Sequence, residues 1–161
     1  MNPTIELAKE LMSRASVTPL DEGCQDLIAQ RLEKIGFNIE HMPFEEVKNL
    51  WATYGKEGPL FIFLGHTDVV PTGPIEDWKN DPFLPLEEKG FLIGRGAADM
   101  KGSVAAFVTA IEDFIAENKE FNGRIGLMLT SDEEGPSVNG VKKVIKELQN
   151  RQEAIDWCLV G

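Results

Sequence analysis

Two short segments of this chain carry side chains that could bind a metal ion or move a proton. Residues 66–68 read His-Thr-Asp, and Asp132, Glu133 and Glu134 stand side by side after an apolar run. A run of adjacent acids is usually a solvent-exposed turn, and a lone histidine at the end of a strand usually has a structural role. The alternative is that a positive ion gathers these groups, which depends on where the fold places them.

Both segments follow apolar runs that predict buried strands. The run at 59–66 ends in His66, and the run at 123–131 ends just before the acidic triplet. Near-continuous apolar runs are typical of strands that are buried on both faces of a sheet. Ligands of open α/β sheets bind beyond the carboxyl ends of the strands. We therefore expect His66 and the acidic triplet to face one site.

The rest of the sequence predicts the elements that must support this site. Apolar residues at helical spacing predict helices over residues 3–15, 22–35, 100–118 and 139–150. Further strands are expected at 37–42, at 49–55 and from residue 156, with a β-ribbon at 90–96 inside a long loop. Strands and helices alternate through the second half. This alternation predicts an α/β fold of three layers, with a mostly parallel sheet and helices on both faces.

The composition is that of a soluble globular domain. The chain has 161 residues, of which 42% are hydrophobic and 27% charged, and no apolar stretch approaches the roughly 20 residues of a membrane span. The N-terminal segment has no apolar signal core, so we expect a cytoplasmic protein. The net charge of −11 argues against a nucleic-acid or membrane partner. An anionic substrate would need positive charge from a metal or from arginine.

Two cysteines and two basic residues could also contribute to a site. Cys24 and Cys158 lie in apolar contexts and belong to no CxxC pair. We therefore expect buried free thiols and no cysteine-bound zinc. Arg95 and Lys101 fall near the expected site in the sequence, but we expect both to be solvated surface residues.

Asp99 completes a ligand set that suits zinc or a similar divalent ion. It precedes the third predicted helix, where the alternative is a simple N-cap. Together with His66 and Glu134 it offers one imidazole nitrogen and two anionic oxygens. A bridging carboxylate lets two cations lie about 3.5–4 Å apart, and Asp99 is the candidate for that role. Asp68 is spaced to orient the other ring nitrogen of His66.

Glu133 and Glu134 are expected to have different roles. Adjacent side chains on extended backbone point to opposite sides, so one of them can bind the ion while the other stays free as a base. A metal lowers the pKa of bound water from its high value in bulk solvent to about 7. Proton removal then comes within reach of a carboxylate at neutral pH.

Three motifs carry a family resemblance: GHTDVVPTG at 65–73, GRGAADMKGS at 94–103 and TSDEEGPSVNG at 130–140. They resemble the zinc-dependent amidohydrolases of the aminoacylase and dipeptidase superfamily. The resemblance implies two zinc ions, with cobalt as a possible substitute, and a small anionic amide as substrate. The nearest match implies hydrolysis of a succinylated amino acid. Deacetylases, aminoacylases and carboxypeptidases of the same superfamily are the alternatives.

By that resemblance each candidate residue has a role. His66 binds one zinc ion and is oriented by Asp68, Asp99 bridges both ions, and Glu134 binds the second ion. Glu133 is the general acid/base, which takes a proton from water and passes it to the leaving amine. The resemblance also implies that the peptide bond after Asp99 is cis.

Members of the superfamily are considerably longer than this chain. We therefore expect residues 1–161 to be the N-terminal part of a zinc-peptidase-like catalytic domain, with the rest of that domain and a dimerisation domain absent. For this chain alone we expect at most one weakly bound zinc ion, negligible activity and self-association through an exposed edge or apolar patch. The whole protein is expected to be a homodimer. A non-catalytic metal-binding remnant is the alternative of another class.

Overall fold

Helices and strands alternate along residues 2–118 and 120–161, the part of the chain that the computed structural model describes. The helices are α1 (Pro3–Met12), α2 (Cys24–Lys34), α3 (Gly102–Glu117) and α4 (Val141–Asn150). The strands are β1 (Asn38–His41), β2 (Asn49–Tyr54), β3 (Leu60–His66), β4 (Leu86–Glu88), β5 (Phe91–Ile93), β6 (Arg124–Thr130) and β7 (Trp157–Val160). Within these described residues, no helix has both the length and the apolar character that crossing a membrane requires.

Five strands form one mixed sheet in the order β1-β2-β6-β3-β7. Strand β3 pairs in parallel with both β6 and β7, whereas β2 runs antiparallel to its neighbours β1 and β6. Four strands therefore share one direction and β2 alone opposes them, which agrees with the predicted mostly parallel sheet. Helix α3 lies in the crossover from β3 to its neighbour β6, and α4 lies in the crossover from β6 past β3 to β7. Strands that run parallel require such crossover connections. Strands β4 and β5 form the separate ribbon that the sequence predicts.

Helices cover both faces of the sheet, as the three-layer prediction requires. Helices α1, α2 and α3 share one apolar core with the face of β6 that carries Leu127 and Leu129. Helix α4 packs on the opposite face, where Val144 and Leu148 join Met128. Side chains alternate between the two faces of a strand. Strand β6 is therefore apolar at successive positions because each face has its own core.

Helix α1 is shorter than its apolar pattern predicts. Asn2 caps its first turn, and the helix ends at Met12 and not at residue 15. The chain then continues through residues 13–23, which we call the α1–α2 connection. This connection returns to the sheet, where Val17 forms a parallel bridge with Val69. It therefore lies next to the residues that follow β3.

Strand β7 forms the edge of the sheet and is exposed along its length. Trp157, Leu159 and Val160 are 59%, 50% and 65% exposed. Cys158 in the same strand is also exposed, whereas Cys24 is buried. The prediction of buried thiols is therefore right for Cys24 and wrong for Cys158. An apolar pattern predicts a strand, but it does not reveal whether a neighbouring element covers it.

Candidate metal centre

The candidate site lies where β3 and β6 end, at the carboxyl edge of the sheet. His66 is the last residue of β3 and lies opposite Thr130, the last residue of β6. The Thr67 amide donates a hydrogen bond to the Thr130 carbonyl oxygen at 2.8 Å, which joins the two strand ends. The loops after both strands therefore meet, as the sequence predicts.

His66 is buried, and both of its ring nitrogens face acceptors. Nδ1 lies 2.8 Å from the carbonyl oxygen of Asp68, and Nε2 lies 3.0 Å from Oδ1 of Asp99. Two acceptors favour a ring with a proton on each nitrogen. Burial acts to lower the pKa of His66, but the contacts with Asp68 and Asp99 outweigh it and raise that pKa to about 9. A metal ion on Nε2 would take the place of one proton.

Asp68 is fully buried, and its carboxylate lies closer to the amides of the loop after β6, which we call the acidic loop, than to the ring of His66. Its Oδ2 accepts hydrogen bonds from the amides of Glu133 at 3.2 Å and Glu134 at 3.0 Å. Its Oδ1 lies 3.5 Å from Nδ1 of His66, which is long for a hydrogen bond. Asp68 thus contacts the ring mainly through its carbonyl oxygen. Burial acts to raise the pKa of Asp68, but the imidazole and the two amides outweigh it and keep that pKa below its usual value.

Asp99 lies in the turn that leads into α3 and is the least enclosed of the candidate ligands. Its side chain is 75% exposed, and its contact with His66 joins this turn to β3. No side chain caps the start of α3, so the N-cap alternative for Asp99 is not found. The peptide bond between Asp99 and Met100 is cis, as the resemblance implies.

The side chains of Glu133 and Glu134 both lie close to the ring of His66. These three residues each offer one ligand atom, and the three atoms lie within 4.8 Å of one another. The expectation that the two glutamates point apart is wrong, because the chain is not extended beyond Thr130 and both amides turn towards Asp68. Asp99, which the sequence also predicts as a ligand, is not a member of this group of described residues.

The electrostatics of the site favour a positive ion. Burial, followed by the charge of Asp99, raises the pKa of Glu134 above its usual value. Oε2 of Glu133 lies 3.8 Å from Nε2 of His66, so a second carboxylate faces the same ring nitrogen. A divalent cation would offset the repulsion among these acids. Imidazole and carboxylate groups are donors that zinc and similar ions accept, so the residues fit such an ion.

Asp132 and Lys101 have roles that the sequence did not reveal. Asp132 is buried, and its carboxylate accepts hydrogen bonds from the amides of Ser137, Val138 and Asn139 at 3.1, 2.9 and 3.1 Å. The first acid of the triplet thus organises its loop.

Lys101 is 1% exposed, so the prediction of a solvated surface residue is wrong. Its ammonium reaches two main-chain carbonyls, and no local pattern signals this.

Arg95 is half-buried in the long loop that precedes α3. Its guanidinium carbon lies 5.2 Å from the centroid of the Trp78 ring, a cation–π arrangement. Its Nη2 donates to the carbonyl oxygen of Pro71 at 3.2 Å. Arg95 therefore fixes the loop and is not the fully solvated residue that we expected.

The chain is similar to known proteins in both sequence and fold. Residues 62–161 match the family model described as peptidase family M20/M25/M40. The chain is 56% identical over 161 residues to the succinyl-diaminopimelate desuccinylase of Alkalilimnicola ehrlichii, and 56% identical over 162 residues to that of Stutzerimonas stutzeri. All of this chain is matched, but it spans only 43% and 42% of those two proteins. The M20 family metallo-carboxypeptidase Sso-CP2 from Sulfolobus solfataricus shares the fold, with a TM-score of 0.88 and 23% identity over 99% of this chain and 37% of that one.

Proposed function

Because this chain belongs to the peptidase family M20/M25/M40, we propose that it forms part of a metal-dependent amide hydrolase. The observation that carries the proposal is that side-chain donor atoms of His66, Glu133 and Glu134 lie within 4.8 Å of one another, with Asp99 3.0 Å from His66, so that metal ligands and a base can share one site. The proposed reaction converts N-succinyl-LL-2,6-diaminopimelate to succinate and LL-diaminopimelate, a step of lysine biosynthesis. The identity of 56% to two proteins named as succinyl-diaminopimelate desuccinylases supports this substrate.

The proposed activity belongs to the whole protein, because the chain spans less than half the length of these relatives. We propose that residues 1–161 form the N-terminal part of the catalytic domain. The rest of that domain and a dimerisation domain would lie outside it. A catalytic zinc ion normally has three protein ligands and an open position, and we propose that the rest of the whole protein supplies the further ligands. We therefore expect negligible activity from this chain alone.

Zinc is the proposed ion, and cobalt is a possible substitute. His66, Asp99 and Glu134 are the proposed ligands, and the contact of Asp99 with His66 at 3.0 Å supports its inclusion. When bound, the ion would polarise the amide carbonyl and make water easier to deprotonate. Asp68 would keep the acidic loop in place through the two amides that it accepts.

Glu133 is the proposed general acid/base. Its side chain is 55% exposed and lies 3.8 Å from the Nε2 atom of His66, so both water and substrate can reach it. Its carboxylate would take a proton from the attacking water and pass it to the leaving amine. Glu134 is more enclosed, and burial raises its pKa. That difference supports separate roles for the two neighbours.

Calorimetric titration of this chain with zinc tests the proposed ligands. We expect at most one weakly bound ion, and we expect His66→Asn, Asp99→Asn and Glu134→Gln each to weaken binding about 10-fold or more. Glu133→Gln should leave the affinity nearly unchanged, as should the control Glu33→Gln on the exposed side of α2. Two tight sites, or a bound ion whose affinity the three ligand substitutions leave unchanged, would contradict the proposed ligands.

Assays of the whole protein distinguish the proposed reaction from its alternatives. A desuccinylase should hydrolyse succinylated amino acids far faster than acetylated ones, whereas an acetylornithine-type deacetylase or an aminoacylase would reverse that preference. A carboxypeptidase would cleave peptides. In the whole protein Glu133→Gln should abolish turnover while the metal stays bound. A non-catalytic metal-binding remnant would bind the ion and hydrolyse none of these compounds.

The proposed partners follow from charge and exposure. A small anionic amide is the proposed substrate, and the net charge of −11 supports the absence of nucleic-acid and membrane partners. A cytoplasmic location is also proposed. The whole protein is proposed to be a homodimer. This chain taken alone is proposed to self-associate through the exposed apolar edge at β7.

A further inference from the structure

Lys101 connects the turn that carries Asp99 to the end of α1. Its side chain is 1% exposed, and its Nζ donates hydrogen bonds to the carbonyl oxygens of Leu11 and Arg14, each at 2.8 Å. These carbonyls lie at and just beyond the C-terminal end of α1. The negative end of a helix dipole favours a cation there. A buried ammonium requires such partners, and here two main-chain carbonyls supply them.

The turn over residues 96–102 is closed around Lys101. The Lys101 amide donates to the carbonyl oxygen of Gly96 at 2.9 Å. Gly96 has a φ of +78°, and a Cβ atom there would lie 3.2 Å from Cδ of Lys101. The lysine stem therefore packs against the start of the turn. On the other side, Sδ of Met100 accepts a hydrogen bond from the His66 amide at 3.3 Å.

Asp99 has no comparable anchor of its own. Its side chain is 75% exposed, and its side-chain hydrogen bond among the described residues is the one to His66 at 3.0 Å. The residues on its C-terminal side, Met100 and Lys101, are buried at 4% and 1% exposure. The position of the Asp99 carboxylate therefore depends on how these two neighbours are held.

The α1–α2 connection also contacts the other two segments of the site. The Ser16 hydroxyl donates to the carbonyl oxygen of Thr67 at 2.6 Å. The Ser131 hydroxyl donates to the carbonyl oxygen of Pro19 at 2.8 Å. One connection thus contacts the ends of β3 and β6 directly. Lys101 attaches the third segment, the Asp99 turn, to the same support.

We infer that Lys101 is a positioning residue for the metal centre. Its ammonium, bound to the carbonyls of Leu11 and Arg14, holds the carboxylate of Asp99 at His66. Lys101 contacts none of the proposed metal ligands through its own side chain and acts through Asp99. The inference rests on the proposed function in one respect, the metal ion that Asp99 would bind.

Hydrogen exchange on the metal-free chain tests whether Lys101 holds the turn. Lys101→Met keeps most of the apolar stem and removes the ammonium. We expect the amides of residues 100 and 101 to exchange at least about tenfold faster relative to the amide of Leu127 in β6. The control Leu148→Ala destabilises the opposite face of the sheet and should not raise that ratio, because a general loss of stability speeds exchange of the core amide at least as much as that of the turn. An unchanged ratio in Lys101→Met would overturn the inference.

A double-mutant cycle tests whether Lys101 acts through Asp99. Cobalt affinity is measured by absorption titration in the original chain, Lys101→Met, Asp99→Asn and the double variant. We expect Lys101→Met to weaken cobalt binding about tenfold and to have no further effect in the Asp99→Asn background. Equal weakening in both backgrounds would indicate a general structural effect and would overturn the inference.

Two outcomes separate this inference from the proposed function. If the original chain binds no cobalt, the proposed ligands do not suffice for binding in this chain, and the exchange ratio alone decides the role of Lys101. If the whole protein binds no metal, the proposed function fails, and the exchange ratio again decides the role of Lys101. If Lys101→Met does not fold, both experiments use Lys101→Arg. That variant keeps the charge, but its planar guanidinium differs in shape and donor geometry from an ammonium. The expected changes have the same direction, and their absence overturns the inference.

Discussion

The carboxyl edge of the sheet and its open side at β7 are built in opposite ways. At the carboxyl edge, the buried side chains of Asp68, Asp132 and Lys101 each bond two or more main-chain groups. At the open side, Trp157 and Val160 are 59% and 65% exposed. The first region is therefore fixed by polar contacts inside the chain, whereas the second leaves apolar surface in contact with water.

The carboxyl edge is thus stabilised by contacts within the chain, whereas the open side at β7 could be stabilised by contact with another surface. An apolar groove of about 480 Å³ lies beside Trp157 and is lined by Phe107, Ile111 and Phe114 of α3. Apolar patches of this kind are common at surfaces that associate. The loops of the metal centre, by contrast, are held by hydrogen bonds to other residues that the structure describes. Three predictions below test whether the contrast holds.

Removing Asp132 should have the largest effect on the stability of the chain. In Asp132→Ala the amides of Ser137, Val138 and Asn139 lose a charged acceptor that is itself buried. We expect the free energy of unfolding to fall by about 4 kcal/mol, measured by urea denaturation. Asp26→Ala, at an exposed acid of α2, is the control and should cost no more than about 0.5 kcal/mol. A loss below about 1 kcal/mol in Asp132→Ala would show that the carboxyl edge is not held as described.

Raising the pH should also weaken the carboxyl edge in the metal-free chain. The pKa of His66 is raised from 6.5 to about 9, so the folded state binds its proton more tightly than the unfolded state does. This contribution is complete below pH 6.5 and is lost as the pH rises through 9. The unfolding free energy should fall by about 3 kcal/mol over that interval.

The histidine responsible for this pH dependence can be identified by substitution. Denaturation curves measured with a chelator present should show the fall in the original chain and in His41→Asn, which alters the exposed histidine of β1. The fall should be absent in His66→Asn. A pH slope that survives in His66→Asn would assign the effect to other groups.

The layered fold and the place of the site could be predicted from the sequence for a physical reason. A strand buried on both faces must be apolar at successive positions, as Leu127, Met128 and Leu129 are, because two separate cores meet it. The polar residues that follow such strands stand out against them. His66 and Glu134 were therefore recognisable as neighbours although they are far apart in the chain.

The detailed contacts of the site could not be predicted in the same way. The shared direction of Glu133 and Glu134 depends on a turn that Asp68 imposes from another loop. The burial of Lys101 depends on the carbonyls of Leu11 and Arg14, which lie far away in the sequence. The exposure of Cys158 depends on the absence of a further strand beside β7 among the described residues. Such facts arise from tertiary contacts, and local patterns do not contain them.

A substitution at the open side should have the smallest effect on folding but a distinct effect on association. Trp157→Lys replaces an aromatic side chain that is 59% exposed, so the unfolding free energy should change by no more than about 0.5 kcal/mol. Sedimentation velocity at high concentration should show self-association of the original chain and a shift towards monomer in Trp157→Lys, because a charge at a sheet edge opposes strand pairing. Phe91→Lys, at an aromatic of β5 that is 71% exposed, is the matched control and should associate like the original chain. A monomeric original chain, or equal loss of association in both variants, would mean that β7 is not the surface responsible.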